Sequence, residues 1–247
     1  MTDILSVAVS ALRADQTRLE QLSLNTANAT TPGYRRGVLA SVSFNGVMDV
    51  QQANQAAALA SLPSTPLLQR ATDFTAGALT QTGRPLDVAV EGDGFLAVTD
   101  GTQNWLTRAG ALQVNANGEL TGANGMRVIG MQGDIRPGGS AGISIDAAGR
   151  VTVANLPVGQ LRVVKPATDA QITSSDGILF SVAGDQFTDV EPEHRALRAG
   201  FLEASNTNSL QEMLGVMQST RHFESLIRLV QGYDEVLGKA IQKLGEV

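Results

Sequence analysis

Two amphipathic segments, one towards each end of the 247-residue chain, constrain its fold more than any other feature. In residues 1–31, and again in residues 209–247, apolar or small side chains recur at alternating spacings of three and four. This periodicity predicts a long helix with one apolar stripe in each segment. Most of the 26 glycines lie in residues 77–200 instead, so a body of another kind is predicted between the two helices.

The stripe of the first predicted helix is only partly apolar. Pro32 and Gly33 predict that this helix ends at Thr31, because proline disfavours the helical conformation in the residue before it. Residues 21–31 carry no charge and are rich in serine, asparagine and threonine, which are weak helix formers. We therefore expect neighbouring chains to enclose this half of the helix. The stripe consists of Leu5, Ala8, Leu12, Asp15, Leu19, Leu22, Thr26 and Ala29.

The last predicted helix has a stronger signal. Ser209 and Glu212 have the spacing of a capping box, which predicts the start of the helix. The alternating spacing then continues without a break, and all but two of the stripe positions are apolar. Such a helix is stabilised mainly when another surface covers its apolar stripe. The stripe consists of Met213, Val216, Thr220, Phe223, Ile227, Val230, Asp234, Leu237, Ile241 and Leu244.

The segment between the helices is predicted to form short antiparallel strands. Dipeptides such as Asp93-Gly94, Asn117-Gly118 and Asp176-Gly177 favour the left-handed backbone of tight hairpins. Apolar segments recur between these turns roughly every 8–12 residues, which is typical of an antiparallel sandwich or barrel-like body. The predicted strands are Asp87–Val90, Phe95–Val98, Trp105–Thr107, Leu112–Val114, Arg127–Ile129, Ile143–Ile145, Val151–Val153, Leu161–Val164 and Ile178–Val182.

The predicted fold class is therefore α+β. Long N- and C-terminal helices are expected to form an antiparallel coiled-coil-like pair, with a mainly antiparallel β domain inserted between them. The predicted domains are a terminal helical domain of residues 1–32 and 203–247, an extended linker of residues 33–80 and a β-rich body of residues 81–202. An ordinary helical hairpin packed on one domain remains the alternative architecture.

Composition and charge exclude several classes of protein. The chain has no cysteine, so disulfides, thiolate metal sites and cysteine catalysis are excluded. The net charge of −6 argues against nucleic acid as a partner, because phosphate binding requires clustered basic residues. No apolar run approaches the roughly 18–20 residues needed to cross a bilayer, and the N-terminal residues lack the pattern of a cleaved signal peptide.

Residues that could carry catalysis do not form a recognisable site. His194 and His222 are the two histidines, and neither has a second histidine at the spacing of a metal site. Glu91 and Asp93 adjoin a predicted hairpin turn, so we interpret them as turn residues rather than as a catalytic pair of carboxylates. We expect no enzymatic activity, no metal and no cofactor.

Three sequence motifs resemble those of one family, the axial proteins of the bacterial flagellum, which form its rod and hook. The first motif, Leu22-Ser-Leu-Asn-Thr-Ala-Asn-Ala-Thr-Thr-Pro-Gly-Tyr-Arg-Arg36, resembles the N-terminal signature of the family. The second motif consists of Thr82-Gly-Arg-Pro-Leu-Asp-Val-Ala-Val-Glu-Gly-Asp-Gly-Phe95 and Leu106-Thr-Arg-Ala-Gly110 and is similar to the start of the β domain of rod proteins. The third motif, Phe201-Leu-Glu-Ala-Ser-Asn-Thr-Asn208, resembles the C-terminal signature.

The resemblance implies a structural subunit of the flagellar rod. Such a subunit would polymerise helically through its terminal helices into a hollow drive shaft that transmits torque and conducts exported subunits. Within the family, the length and the segment Gly83–Asp87 resemble proximal rod proteins most, with distal rod or hook-type subunits as the alternative.

The resemblance also implies partners, a location and an assembly interface. The partners would be copies of the chain, other rod and axial proteins and the flagellar type III export apparatus, with no nucleic acid and no direct membrane span. The location would be the basal body, in the rod that spans the periplasm, after export without signal cleavage. The expected interface residues are Leu5, Leu12, Leu19, Leu22, Asn25, Asn28, Met213, Val216, Phe223, Ile227, Val230, Leu237, Ile241 and Leu244.

Two further classes of protein remain open from the sequence. A secreted hydrolase acting on the cell wall would need a paired-carboxylate or metal cleft. A monomeric β-rich binding module with a helical hairpin would stay monomeric at rising concentration, whereas a polymer-forming subunit would not.

Overall fold

The computed structural model describes residues 2–42, 67–122, 125–139, 142–167, 172–182, 187–191 and 196–245. Within these ranges the chain forms helix α1, Thr2–Ala27, helix α2, Ser209–Gly245, and a series of short strands. The strands are β1 (Gly37–Val42), β2 (Leu67–Thr72), β3 (Leu79–Gln81), β4 (Val88–Glu91), β5 (Phe95–Thr99), β6 (Asn104–Thr107), β7 (Gln113–Val114), β8 (Leu120–Thr121), β9 (Arg127–Gly130), β10 (Gly133–Asp134), β11 (Ile143–Ile145), β12 (Arg150–Val153), β13 (Leu156–Gln160), β14 (Val163–Pro166), β15 (Ile172–Ser174), β16 (Leu179–Val182), β17 (Phe187–Asp189), β18 (Ala196–Ala199) and β19 (Phe201–Glu203).

The chain divides into two compact units. Unit 1 comprises Met1–Ala27, Gly37–Ala71 and Asn208–Val247, and unit 2 comprises Asn28–Arg36 and Thr72–Thr207. The predicted linker contains β1 and β2, and its alanine- and glutamine-rich residues 51–60 lie outside the described residues. The predicted domain limits stay a prediction.

Antiparallel pairing organises the strands of unit 2. A ten-stranded sheet has the path β15-β16-β6-β5-β9-β8-β7, with β10 paired to β9 and with β14 paired to both β5 and β17. Strands β11, β12 and β13 form a second sheet in sequence order, and β4 pairs with β18, as β3 does with β19. Each of the nine predicted strands overlaps an observed strand, so these predictions are confirmed.

The core of unit 2 is built from side chains of several of these strands. Its main cluster includes Val88, Leu96, Val98, Leu112 and Leu161, and each of these side chains is fully buried. A smaller aromatic cluster brings the rings of Phe74, Phe95 and Phe180 within 5.4–6.1 Å of one another. Burial on this scale contributes about 1.5–3 kcal/mol for each large apolar side chain, so the core is a main source of stability for the β body.

Both helices differ at their ends from the prediction. Helix α1 ends at Ala27, four residues before the predicted Thr31, because residues 28–30 form a turn. At the start of α2 the side chain of Asn208 accepts hydrogen bonds from the backbone N–H groups of Leu210 and Gln211, at 3.1 and 3.3 Å. Asn208 is therefore the N-cap, one residue before the predicted Ser209.

The prediction of an antiparallel coiled-coil-like pair of helices is wrong. In the predicted stripe of α2, Met213 and Ile241 expose 52% and 69% of their surfaces, and Thr220 and Asp234 are exposed as well. The buried residues among the described side chains of α2 are instead polar, namely Glu212 and Ser219, and each precedes a predicted stripe residue. Apolar residues occupy more than one face of α2. The alternating spacing therefore predicted the wrong face of the helix at several positions, where the side chain is exposed and not buried.

Candidate functional site: polar networks and an exposed apolar stripe

The three motifs meet at one buried ionic cluster in unit 2, formed by Arg35, Arg108 and Glu203. Arg35 belongs to the first motif, Arg108 to the second and Glu203 to the third. The Glu203 carboxylate accepts from Arg35 Nη2 at 2.7 Å and from Arg108 Nη1 at 3.3 Å. All three side chains are at least 95% buried, so the cluster is shielded from water.

Backbone groups complete this ionic cluster. Arg35 Nη1 donates to the carbonyl of Thr75 at 2.6 Å, and Glu203 Oε1 accepts from the N–H of Gly77 at 2.9 Å. The Arg108 guanidinium lies 4.8 Å from the centre of the Phe95 ring, in cation–π contact. Burial lowers the pKa of Arg108 from its ordinary value, and the nearby Glu203 carboxylate opposes this effect.

The ionic cluster has one carboxylate for two guanidinium groups. Carbonyl oxygens and a ring face offset part of the excess positive charge, while the Nε atoms of both arginines are buried without a hydrogen-bond partner. Because an uncompensated buried charge is costly, the three segments are held in one arrangement. The cluster positions the backbone of the three motifs.

Glycines let the first motif approach the body closely. Gly33 has a φ of +74°, and a Cβ atom there would lie 2.3 Å from the backbone nitrogen of Ala109. Gly177 has a φ of +81° and lies against the buried ring of Tyr34, where a Cβ atom would lie 2.3 Å from a ring carbon. The carbonyl of Gly177 also accepts from the backbone N–H of Arg35 at 2.7 Å. Both positions therefore require glycine.

Asn206 of the third motif forms a second link in unit 2. Its side-chain oxygen accepts from the backbone N–H of Arg36 at 2.7 Å. Its amide nitrogen donates to the carbonyls of Asp73 and Thr75, at 2.8 and 3.1 Å. One amide side chain thus satisfies backbone groups from two other segments of the unit.

Unit 1 contains a buried polar network centred on Asn25. Its side-chain amide donates to the carbonyl of Gly37 at 2.9 Å and to Glu212 Oε2 at 3.1 Å. Its oxygen accepts from the N–H of Gly37 at 3.0 Å and from Gln21 Nε2 at 3.2 Å. Asn25 therefore joins α1 to the first residue of β1 and to α2.

The two helices make further contacts within unit 1. The imidazole Nδ1 of His222 lies within hydrogen-bond distance of the buried Asp15 carboxylate. Leu22 packs against Gly215, where an added Cβ atom would lie 3.0 Å from Leu22 Cδ2. The interpretation that neither histidine is a metal ligand stays a prediction, and His194 lies outside the described residues.

The predicted interface residues lie in different environments. Asn25 is buried in the network above, and Met213 and Ile241 are exposed. The side chains of Leu5 and Leu244 are not among those that the structure describes. The remaining residues are partly buried: Leu12, Leu19, Leu22, Asn28, Val216, Phe223, Ile227, Val230 and Leu237. Their assignment to an assembly interface stays a prediction.

The first turns of α2 carry an apolar surface that faces solvent, and we call it the α2 stripe. It consists of Leu210, Met213, Leu214 and Met217, which expose between 48% and 68% of their surfaces. At 3.6 residues per turn these side chains lie opposite the buried residues Glu212 and Ser219. Several large apolar side chains together on an exposed helix face are typical of an interaction surface.

The ionic cluster and three of the four positions of the α2 stripe were not predicted from the sequence. A signal for the cluster was present, because each motif contains at least one charged residue: Arg35 in the first, Arg108 in the second and Glu203 in the third. A signal for the stripe was present too, since Leu210, Leu214 and Met217 have helical spacing that differs by one position from the predicted stripe.

Two findings concern other classes of site. Among the described residues, acidic and histidine side chains do not gather in a group of three that could hold a metal ion. Within the same residues, neither helix has a stretch that is apolar and long enough to cross a bilayer.

Comparison with known proteins gives a consistent result. The family model described as "Flagellar hook protein FlgE/F/G D1 domain" matches residues 89–153, and the one described as "Flagellar basal body rod FlgEFG protein C-terminal" matches residues 198–243. The chain is 34% identical over 240 residues to the flagellar basal-body rod protein FlgF of Escherichia coli (strain K12), with 89% of each chain covered.

Two further relatives extend this similarity. The FlgF protein of Salmonella typhimurium (strain LT2) is 33% identical over 238 residues, with 89% of each chain covered. The rod protein FlgG of Bacillus subtilis (strain 168) is 26% identical over 255 residues, which cover 94% of this chain and 96% of the relative. The chain therefore belongs to the family of flagellar basal-body rod proteins, which is a family of structural proteins and not of enzymes. The resemblance predicted from the three motifs is confirmed.

Proposed function

We propose that the chain is a structural subunit of the flagellar rod and polymerises helically through its terminal helices. The assembled subunits form a hollow shaft that transmits torque and conducts exported subunits. The identities of 34% and 33% to the two FlgF relatives named above, against 26% to the FlgG relative of Bacillus subtilis, support the proximal rod type. In this role the subunit has no catalytic function of its own.

The observation that carries this proposal is the α2 stripe. Four large apolar side chains are exposed on one face of α2, while the opposite face carries the buried residues of the same helix. Covering apolar side chains contributes roughly 25 cal/mol for each Å² removed from water, so a neighbouring subunit stabilises the assembly by covering this face. A contact that repeats between copies without closing generates a filament.

The partners in this proposal follow from the same role. Copies of the chain and other rod and axial proteins would contact the terminal helices, and the flagellar export apparatus would carry the subunit out of the cytoplasm. The subunit would reside in the basal body, within the part of the rod that crosses the periplasm. Family membership supports the basal body as its place, and the export route rests on the resemblance alone.

Aspartate substitutions in the α2 stripe test the proposal. Leu210→Asp and Leu214→Asp place a charge on the exposed stripe, and Gln211→Asp places the same charge on an exposed polar position of the same helix. The variants replace the native gene in a motile strain, and swimming and the amount of the chain in isolated basal bodies are measured. We expect both leucine variants to abolish swimming and incorporation, with Gln211→Asp close to wild type.

A folding control separates assembly from stability. Because Leu210 and Leu214 are exposed, their replacement is expected to change the free energy of unfolding by less than about 0.5 kcal/mol. Unfolding of the helices followed by circular dichroism checks this in the purified variants. Normal swimming by both leucine variants would contradict the proposed role of the stripe.

A further inference from the structure

Two of the four residues of the α2 stripe are methionines, and both side chains are exposed to solvent. Met213 and Met217 lie four residues apart on one helix face and expose 52% and 51% of their surfaces. Leu210 and Leu214 stand on the same face, so the methionines supply half of its large side chains. Helix geometry places residues with this spacing next to each other.

We infer that Met213 and Met217 form an oxidation-sensitive modification site that controls whether the stripe can join a neighbouring subunit. The inference rests on the proposed function, because it requires that the stripe becomes covered in the rod. The modifying reagent is a hydroperoxide, with hydrogen peroxide as the simplest case. The free subunit is sensitive, and the assembled subunit is protected.

The reaction is a two-electron oxygen transfer at each thioether. A sulfur lone pair attacks one peroxide oxygen, a sulfur–oxygen bond forms and the oxygen–oxygen bond breaks. Sulfur is oxidised to the sulfoxide, and the peroxide is reduced to water, with no net release of protons. The product is reversible by thiol-dependent reduction and adds a polar, chiral oxygen to a flexible apolar side chain.

Because of the position of the two sulfurs, their oxidation is expected to weaken the contact with a neighbouring subunit. A sulfoxide oxygen buried against a partner needs a hydrogen-bond donor, and the stripe neighbours Leu210 and Leu214 supply none. The other methionines with described side chains lie in unit 2, where Met126 packs on the core and Met131 is exposed in the turn after β9. Oxidation of Met131 therefore serves as an internal control outside the stripe.

Peroxide treatment of the purified full chain gives the first measurement. Mass spectrometry of proteolytic peptides follows the sulfoxide at each methionine over time. We expect Met213 and Met217 to react within about threefold of the rate of Met131, since all three are exposed, and several-fold faster than Met126. Reaction of Met213 and Met217 at or below the rate of Met126 would overturn the inference.

Paired substitutions give the second measurement. Met213→Gln with Met217→Gln imitates the polarity of the two sulfoxides, whereas Met213→Leu with Met217→Leu keeps both positions apolar and removes the sulfur. Each pair is expressed in place of the native gene, and incorporation into isolated basal bodies is quantified. We expect the glutamine pair to lose at least tenfold in incorporation and the leucine pair to stay within twofold of wild type. Met131→Gln is the matched control and should also stay within twofold.

The outcomes distinguish this inference from the proposed function. Wild-type incorporation of the glutamine pair, together with failure of Leu214→Asp, would overturn oxidation sensitivity while the stripe keeps its role in assembly. Wild-type incorporation of Leu214→Asp would overturn the proposed function itself. Circular dichroism of the purified glutamine pair excludes loss of helix as the cause of its failure.

Discussion

Replacing Glu203 with glutamine is expected to destabilise unit 2 severely. The substitution keeps the shape of the side chain and removes the negative charge that Arg35 and Arg108 share in the ionic cluster. Both guanidinium groups then remain buried without a carboxylate. Their other hydrogen-bond and ring partners, the backbone carbonyls and the Phe95 ring, carry no negative charge.

The magnitude follows from the burial of the ionic cluster. Removing one partner of a buried ion pair costs about 3–5 kcal/mol, because the remaining charge is left uncompensated. For a unit of this size, about 2–4 °C of melting temperature is lost for each kcal/mol. We therefore expect Glu203→Gln to lower the melting temperature by roughly 6–20 °C. A change of this size is a large part of the roughly 5–15 kcal/mol that stabilises a folded domain.

Trp105 provides the assay. It is the single tryptophan of the chain and packs against the core of unit 2, so its fluorescence reports the unfolding of that unit. Urea unfolding curves of wild type and variant give the free energy of unfolding, with an unchanged slope showing that the folded state has kept its compactness.

Asp93→Asn is the matched control for the Glu203 variant. Asp93 pairs with Lys165 at 3.0 Å, and both side chains are largely exposed, so the same change of a carboxylate into an amide is expected to cost less than about 1 kcal/mol. A Glu203 variant that loses no more stability than the Asp93 variant would refute the reasoning that the ionic cluster holds unit 2 together.

Three further results are expected from the local geometry. Gly177→Ala should lower the free energy of unfolding in urea by more than about 2 kcal/mol, because the added Cβ atom meets the Tyr34 ring. Gly83 also has a positive φ but open space around it, so Gly83→Ala should cost only about 1 kcal/mol. Equal costs would contradict the close packing at Gly177. Asn25→Ala should cost roughly 2–3 kcal/mol in the helix unfolding followed by circular dichroism, since it removes the buried hydrogen bonds that Asn25 makes to Gly37 and Glu212. A loss under about 0.5 kcal/mol would contradict this role. The backbone N–H and hydroxyl of Thr75 hold the pKa of Asp73 below its ordinary range. The ionised Asp73 carboxylate therefore stabilises the fold fully above its unfolded-state pKa, and this contribution is lost as the pH falls through its folded-state pKa. An ordinary midpoint for Asp73 in a carboxyl titration by NMR would argue against this contribution.

The strands of the β body could be predicted because their residues carry a local signal. Segments such as Phe95–Thr99 are apolar and β-branched or aromatic and are bounded by Gly or Asp turns, so composition alone locates them. Strands such as β10, Gly133–Asp134, could not be predicted, because they are two polar or small residues placed by pairing with β9. Tertiary contacts decide such elements, and local propensity does not.

The helices show where periodicity alone is insufficient. The two long helices were predicted correctly in kind, because each has a sustained apolar repeat. The register of α2 was wrong at several positions, since Met213 and its neighbours Leu214 and Leu210 offer two overlapping apolar faces. The face that packs inside unit 1 contains Glu212, whose burial depends on Asn25 and could not be read from α2 alone.

The contacts of the polar networks could not be predicted from the motifs taken one at a time. The three motifs together indicate the family, but the contact of Arg35 with Glu203 joins residues 168 positions apart, as their numbers show. A buried charge is recognisable only once the fold has placed its partner. Sequence therefore indicated which segments matter, and the structure indicated what their charged residues do.

A single cysteine introduced at Leu214 tests the central claim most directly, because the natural chain has no cysteine to interfere. The labelling rate of Leu214→Cys with a maleimide is measured in the purified chain and in isolated basal bodies, and labelling after denaturation normalises the two samples. If neighbouring subunits cover the α2 stripe, labelling in basal bodies should be at least tenfold slower than in the free chain. Equal labelling rates in an assembly that contains the chain would contradict the claim that this face is an assembly surface.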